Sequence, residues 1–267
     1  MPTPLHTTLL TLLLLLIPLT TLRILSLLPA YRPRPRPKLR GTPTRLLIVL
    51  GSGGHTAEMF ALLRDLDTEK YNWRSYIVGE GDRFSAARAE EFERGLSERA
   101  RAQATRTRRK NGALEGEKAE QAHAHTQQGS REAEEETQGY GGYDVYTIPR
   151  ARAIHQPLST TPLSALRCLL ACFAVLLRAP NAERGPPDLI LTNGPGTGVV
   201  VVLASLILRF LGVGQDRMRT VYVESWARVK GLSLSGRLLV RVVDRVLVQW
   251  EGLEGVGGRG EFLGVLV

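Results

Sequence analysis

Continuous apolar runs alternate along this chain with stretches whose apolar positions recur every three or four residues. Leu46-Leu47-Ile48-Val49-Leu50 predicts a strand buried on both faces, and Ala57 to Leu66 then carries apolar side chains at helical spacing. Trp73 to Val78 predicts a second strand, Phe84 to Glu93 a charged surface helix, and Asp144 to Ile148 a third strand ending at Pro149. Leu163 to Leu177 is apolar on nearly every face, which suits either a core helix or one lying at a membrane interface. Asp188 to Thr192 predicts another strand and Val199 to Leu211 a buried or lipid-facing helix. Thr220 to Val223, Leu234 to Val243 and Arg245 to Gln249 complete the pattern as strand, helix and strand. Strands alternating with helices predict an α/β fold, a Rossmann-like doubly wound parallel sheet.

Two segments depart from this alternation. Leu5 to Leu28 is leucine-rich with one charge, Arg23, and matches the roughly 20 residues that cross a bilayer. With no Lys or Arg before it and no A-x-A site after it, it predicts a retained transmembrane anchor over residues 1–30. Residues 31–43 form a stiff basic linker in which Arg32, Arg34, Arg36, Lys38 and Arg40 alternate with prolines. That collar suits the phosphates of a cytosolic membrane face, leaving the globular part, residues 44–267, in the cytosol. From about Ser97 to Gly142, Arg, Lys, Glu, Gln, Ala and Gly mix without periodicity, which predicts a disordered insertion. His123 and His125 fall inside it with no further metal ligand near them in sequence.

Charge and cysteine content narrow the partners. The 267 residues carry 35 Lys and Arg against 26 Asp and Glu, a formal charge of +9, which favours an anionic partner. The collar holds much of that charge and interleaves no aromatic residues for base stacking, so membrane phosphates are favoured and nucleic acid is not. Cys168 and Cys172 lie four apart in an apolar helix and assemble neither a disulfide framework nor a metal set; they read as packed thiols.

Candidate chemistry gathers where strands end. Gly51, Ser52, Gly53 and Gly54, followed by His55 and Thr56, turn the first strand into a helix and would present free amides and a helix N-terminus to phosphate or diphosphate. Thr56 occupies the place of a third glycine, which disfavours a nicotinamide cofactor; no cofactor motif or metal set is found. Asn193, Gly194, Gly196 and Thr197 form a second such loop, and Glu224, Ser225 and Arg228 a third. In a parallel sheet all three share one edge. His55 there suits proton acceptance or a hydrogen bond to a hydroxyl. Glu224 suits either a general base and sugar-hydroxyl ligand or electrostatic support for the following helix.

The stretches Leu50-Gly51-Ser52-Gly53-Gly54-His55-Thr56-Ala57-Glu58-Met59, Thr192 to Gly198, Tyr222 to Val229, Leu232 to Gly236 and Val248-Gln249-Trp250 occur in order across nearly the whole cytosolic part. Through them the chain resembles the membrane-anchoring subunits of the two-chain N-acetylglucosaminyltransferase of the dolichol pathway, which adds the second GlcNAc of the N-glycan precursor. More distantly it is similar to the N-terminal half of the bacterial GT-B enzyme MurG. The resemblance implies a subunit inactive alone, anchored to the endoplasmic reticulum. It would present a lipid-linked GlcNAc-diphosphate acceptor, while a soluble subunit binds UDP-GlcNAc. Ser225-Trp226 stand where MurG has Gln-Asn, so no catalytic Asn carries over, and Glu251 to Gly260 is atypically glycine-rich.

The remaining apolar group is Phe262, Leu263, Val265, Leu266 and Val267. It calls for a cover, either this domain's own sheet edge or the partner subunit, and the resemblance favours the partner. Two other classes stand beside this reading: a complete single-chain phosphate-binding enzyme, for which the length leaves no second nucleotide domain, and a membrane scaffold with no part in the chemistry.

Overall fold

Leu47 and Val49 of the first strand face one layer of helices while Leu46, Ile48 and Leu50 face the other, so a single apolar run supplies both cores. The computed structural model describes residues 4–32, 42, 44–116, 141–152, 156–157, 159–178, 185–194 and 196–267. Seven parallel strands, β1 (Arg45–Val49), β2 (Trp73–Gly79), β3 (Gly142–Ile148), β4 (Leu189–Thr192), β5 (Arg219–Val223), β6 (Arg245–Val248) and β7 (Gly260–Phe262), lie in the order β3-β2-β1-β4-β5-β6-β7. The chain moves outward from β1 to β3 and then returns to place β4 against β1. The β1/β4 crevice is therefore the point where strand order reverses, the usual ligand position in open α/β sheets.

Helices α2 (Gly54–Leu62) and α3 (Arg83–Gly116) follow β1 and β2, and Met59, Phe60, Leu63 and Ala89 pack on Leu46, Ile48 and Leu50. On the opposite face are α4 (Thr161–Leu177) and α5 (Gly196–Phe210), whose Cys168, Cys172, Leu176, Val201 and Leu208 enclose Leu47 and Val49. The two cysteines are fully buried free thiols, as their spacing suggested. The short helix α6 (Leu234–Leu239) covers Tyr222, Val246 and Val248. Helix α4 turns only one side inward, and Leu163, Leu166, Leu170 and Leu177 stay exposed on the other.

Three expectations are corrected here. The first part of the expected disordered insertion is helical, since α3 continues to Gly116. Its Ala, Arg, Glu and Gln are strong helix formers that need no apolar periodicity. The rest of that insertion, with His123 and His125, lies outside the described residues. Glu93 is not on a solvated face: Arg74 and Glu93 are wholly buried and form a two-pronged ion pair at 2.8 and 2.9 Å, and Tyr76 donates to the same carboxylate at 2.6 Å. The collar also loses Arg32, which is buried against Asp244 at 2.8 Å, while Arg34 to Arg40 lie outside the described residues.

Helix α1 (Pro4–Leu27) precedes the sheet. Its Leu10–Leu27 stretch is long and apolar enough to cross a membrane, with a mean hydropathy of 2.1. It meets the domain by a reciprocal cap: Arg23 donates to the carbonyls of Arg209 and Phe210 at the end of α5, and Arg209 donates to the carbonyl of Leu27 at the end of α1. At the other end of the chain, β7 extends the domain's own sheet edge and the sequence pattern had missed it. Leu266 folds back onto the core containing Leu247 and Val223, whereas Leu263 and Val265 remain exposed.

Candidate functional site

The loop after β1 is shaped by Gly53, whose φ of 61° belongs to the left-handed region, and the helix begins at Gly54, two residues earlier than the sequence suggested. Ser52, Gly53 and Gly54 are exposed. Among the described residues, the N–H groups of Ser52, Gly53, Gly54 and His55 at this helix N-terminus find no hydrogen-bond acceptor. Gly51 and Thr56 form the underside of this cradle. Thr56 is fully buried, and its hydroxyl is taken by the Gly51 carbonyl and by Ser85 Oγ at 2.8 Å; Ser85 also donates to Gly51 at 2.9 Å. The Thr56 side chain thus braces the loop from beneath.

The second loop closes on the first. Asn193, 2% exposed, donates from Nδ2 to the His55 carbonyl at 2.6 Å, fixing the backbone of the β1 loop from across the crevice. Gly194 adopts φ 86°, and a Cβ on it would lie 2.5 Å from His55 Cε1, so the imidazole rests directly on this glycine. Gly196 and Thr197 open α5 beside it; Gly196 is exposed with open space around it and Thr197 is half-buried.

The third loop reaches the same place through a residue the sequence reading had not singled out. Ser225 donates from Oγ to Glu58 Oε1 at 2.9 Å, and Glu58 Oε2 lies 3.9 Å from His55 Nδ1. His55, whose side chain is 37% exposed, therefore stands on Gly194 with its Nδ1 turned toward Glu58. The i,i+3 spacing of His55 and Glu58 on the first turn of α2 was a usable signal.

Glu224 does not join them. It is fully buried, and its carboxylate accepts from the Ser225 amide at 3.2 Å, Tyr222 Oη at 3.3 Å, the Ser233 amide at 3.0 Å and Ser233 Oγ at 3.2 Å. A Cβ on Gly236 would lie 2.3 Å from its Oε2. Of the two roles the sequence left open for Glu224, the packing supports the structural one: it holds Ser233, the N-cap of α6, against the β5 loop. Burial, then the nearby Glu224 carboxylate, pushes the Tyr222 phenol well above its usual value, so it stays a donor. Arg228 is exposed and, with Lys230 and Arg237, lines an open hollow of ≈ 480 Å³ beyond Ser225.

The tail reaches the same edge indirectly. The Leu266 amide donates to Gln249 Oε1 at 3.3 Å, and Gln249 Nε2 donates to the Glu224 carbonyl at 3.0 Å. Phe262 is half-buried in β7 and Val267 half-buried at the end, with Leu263 and Val265 exposed between them. No group of three His, Cys, Asp or Glu side chains among the described residues is placed to hold a metal.

A Rossmann-like parallel sheet whose C-terminal edge carries a glycine loop, an imidazole and cationic side chains at the strand-order switch point has the place where open α/β sheets usually hold ligands. The family model described as "Oligosaccharide biosynthesis protein Alg14 like" matches residues 46–114 and 115–266. Relatives named UDP-N-acetylglucosamine transferase subunit alg14 include one from Aspergillus fumigatus, 38% identical over 74% of this chain and 92% of its own length. One from Schizosaccharomyces pombe is 35% identical over 83% of this chain and 82% of its own. The Mus musculus relative is 32% identical over 92% of this chain and 91% of its own length. The chain belongs to the Alg14-like family of oligosaccharide biosynthesis proteins.

Proposed function

We propose that this chain is the non-autonomous, membrane-anchoring subunit of a UDP-N-acetylglucosamine transferase. It holds a soluble, UDP-GlcNAc-binding partner at the cytosolic face of the endoplasmic reticulum and presents GlcNAc-diphospho-dolichol for addition of the second GlcNAc. The observation that carries this reading is the convergence of His55, Asn193, Gly194, Glu58 and Ser225 from three separate loops onto the β1/β4 crevice, beside four unpaired amides. Unpaired amides at a helix N-terminus suit a diphosphate. The partly exposed imidazole suits the attacking hydroxyl of the acceptor sugar, whose proton must leave as the new glycosidic bond forms. The helix α1 supplies the anchor, and the exposed Leu263 and Val265 supply a docking edge for the partner.

The test is turnover by the assembled two-chain enzyme carrying His55→Ala or Gly53→Val. Both should lose transfer while retaining assembly, because one removes the imidazole and the other forces a branched side chain into a left-handed turn among the amides. A scaffold with no part in the chemistry is the second reading, favoured by the sealing of Glu224 inside the fold; it predicts wild-type transfer from both variants.

A further inference from the structure

Among the described residues, the foot of the anchor gathers four arginines. Arg32 and Arg209 are 8% and 2% exposed, Arg219 lies largely buried beside them, and Arg23 reaches in from α1. The carboxylate in contact is Asp244, 2.8 Å from Arg32 and 3.0 Å from Arg219, while Asp216 acts on Arg32 from the exposed surface. Main-chain carbonyls of Leu27, Phe210 and Gln215 accept from these guanidiniums at 3.0 to 3.1 Å. Even so, Nε of Arg32 and Nε of Arg209 are buried with no hydrogen-bond partner among the described residues. Burial, followed by the neighbouring Arg32, brings Arg209 down to about 10, so it still carries its charge at neutral pH. Burying cations without equal countercharge is costly, and a nearby anion relieves that cost.

Beside this cluster is an open hollow of ≈ 380 Å³ lined by Leu28, Pro29, Ala30, Arg241 and Arg259. Arg241 is exposed; Arg259 is half-buried and donates to the Asp244 carbonyl at 2.8 Å. One wall is apolar and continues into the exposed leucines of α1, the other is cationic, and no carboxylate among the described residues lines it. Because Arg241 and Arg259 precede β6 and β7, the hollow sits at the N-terminal edge of the sheet, across its full height from His55. It is therefore separate from the crevice assigned to the acceptor.

We propose that this hollow binds the phosphate of an anionic phospholipid, with Arg241 and Arg259 on the phosphate and the acyl chains lying along α1. The assignment rests on α1 being a membrane span, since with Leu10–Leu27 in hydrocarbon the residues Leu28 to Ala30 stand at headgroup depth. A free phosphate would share the arginines but have no use for the apolar wall. The bound lipid would fix the angle at which the domain leaves the membrane, because Arg23 and Arg209 already lock α1 to α5.

The experiment uses the full-length chain. Membranes are first washed with alkaline carbonate, and the retained protein is reconstituted into nanodiscs of equal phosphatidylcholine and phosphatidic acid. Native mass spectrometry then counts the lipids it keeps. The expected result is retention through the wash and roughly tenfold enrichment of phosphatidic acid. Arg241→Gln should lower that enrichment and Arg241→Gln with Arg259→Gln should abolish it, while Arg167→Gln, an exposed arginine on α4, leaves it intact. Should the double variant fail to fold, the single variant carries the test. Unchanged enrichment in the Arg241 variant, an equal loss with Arg167→Gln, or displacement of the lipid by inorganic phosphate as readily as by short-chain phosphatidic acid would overturn the proposal. Release by carbonate would instead remove the anchor reading beneath it.

Discussion

The Ser225 hydroxyl donates to Glu58 Oε1 at 2.9 Å, joining the loop after β5 to the first turn of α2 across a sequence separation of 167 residues. The other carboxylate oxygen of Glu58 lies 3.9 Å from His55 Nδ1, too far for a hydrogen bond, so this bond holds a negative charge beside the imidazole. Ser225→Ala removes the donor and frees Glu58 to rotate. Turnover of the assembled enzyme should fall roughly tenfold, beyond the stability loss of about 1 to 3 kcal/mol expected when a partly buried carboxylate loses its donor. Steady-state kinetics beside a thermal melt checks both parts; equal losses of stability and turnover would assign Ser225 to the fold alone.

Gly194 is the floor under the same ring. Gly194→Ala places a methyl 2.5 Å from the present position of His55 Cε1 and strains a φ of 86°. Displacing a reacting group by about 1 Å costs roughly 100-fold in rate. The variant should approach His55→Ala in transfer while still capturing its partner. Wild-type turnover from Gly194→Ala would show that the position of His55 is irrelevant to the reaction.

Glu224 should behave as a structural residue. Glu224→Ala leaves the Ser225 and Ser233 amides without this acceptor inside the fold, a loss on the order of 3 kcal/mol. Chemical denaturation measures it. A variant of native stability whose turnover is abolished would return Glu224 to the chemistry.

Much of this was legible in the sequence. The apolar run Leu46 to Leu50 announced a doubly covered strand, and the glycine turns after β1 and β4 announced the edge that carries the candidate site. What the pattern withheld was the direction of polar side chains. Glu93 lies in a segment whose composition reads as solvated, yet its partner Arg74 sits near the start of β2, and no local periodicity links a strand arginine to a helix carboxylate 19 residues on. The surroundings of Glu224 and Glu58 were hidden for the same reason: only the close approach of Gly236 shows that the first is sealed, and only the fold brings Ser225 to the second. The strand β7 escaped notice because three residues rich in glycine and charge carry no strand signal, and it forms by extending an existing edge.

The buried pair offers a direct stability test. Glu93→Ala leaves the Arg74 guanidinium charged and fully buried, and breaking such a pair costs about 3 to 5 kcal/mol. The shift of a denaturation midpoint is the readout, and a loss below about 1 kcal/mol would mean that water reaches Arg74.

Asp244 should set part of the acid limit of the fold. Burial pushes its carboxyl up, but Arg32, the Thr220 amide and Arg219 outweigh burial and hold it below the usual carboxylate range. A depressed folded value contributes stability that is fully present above the unfolded value near 3.9 and is lost as pH falls through the lower folded value. Melting temperatures of the wild type should therefore drop over that acid window, and those of Asp244→Asn should start lower and drop less. Parallel curves would remove Asp244 from the acid response.

The two-chain requirement is tested most directly by reconstitution. Transfer of GlcNAc from UDP-GlcNAc to a GlcNAc-diphosphate polyprenol is followed with this chain alone, with the soluble partner alone, and with both together. Product should form only when both are present, and Leu263→Asp with Val265→Asp should abolish it along with co-purification of the partner. Transfer by this chain alone, or full transfer by the partner without it, would contradict the assignment of half an active site to this domain.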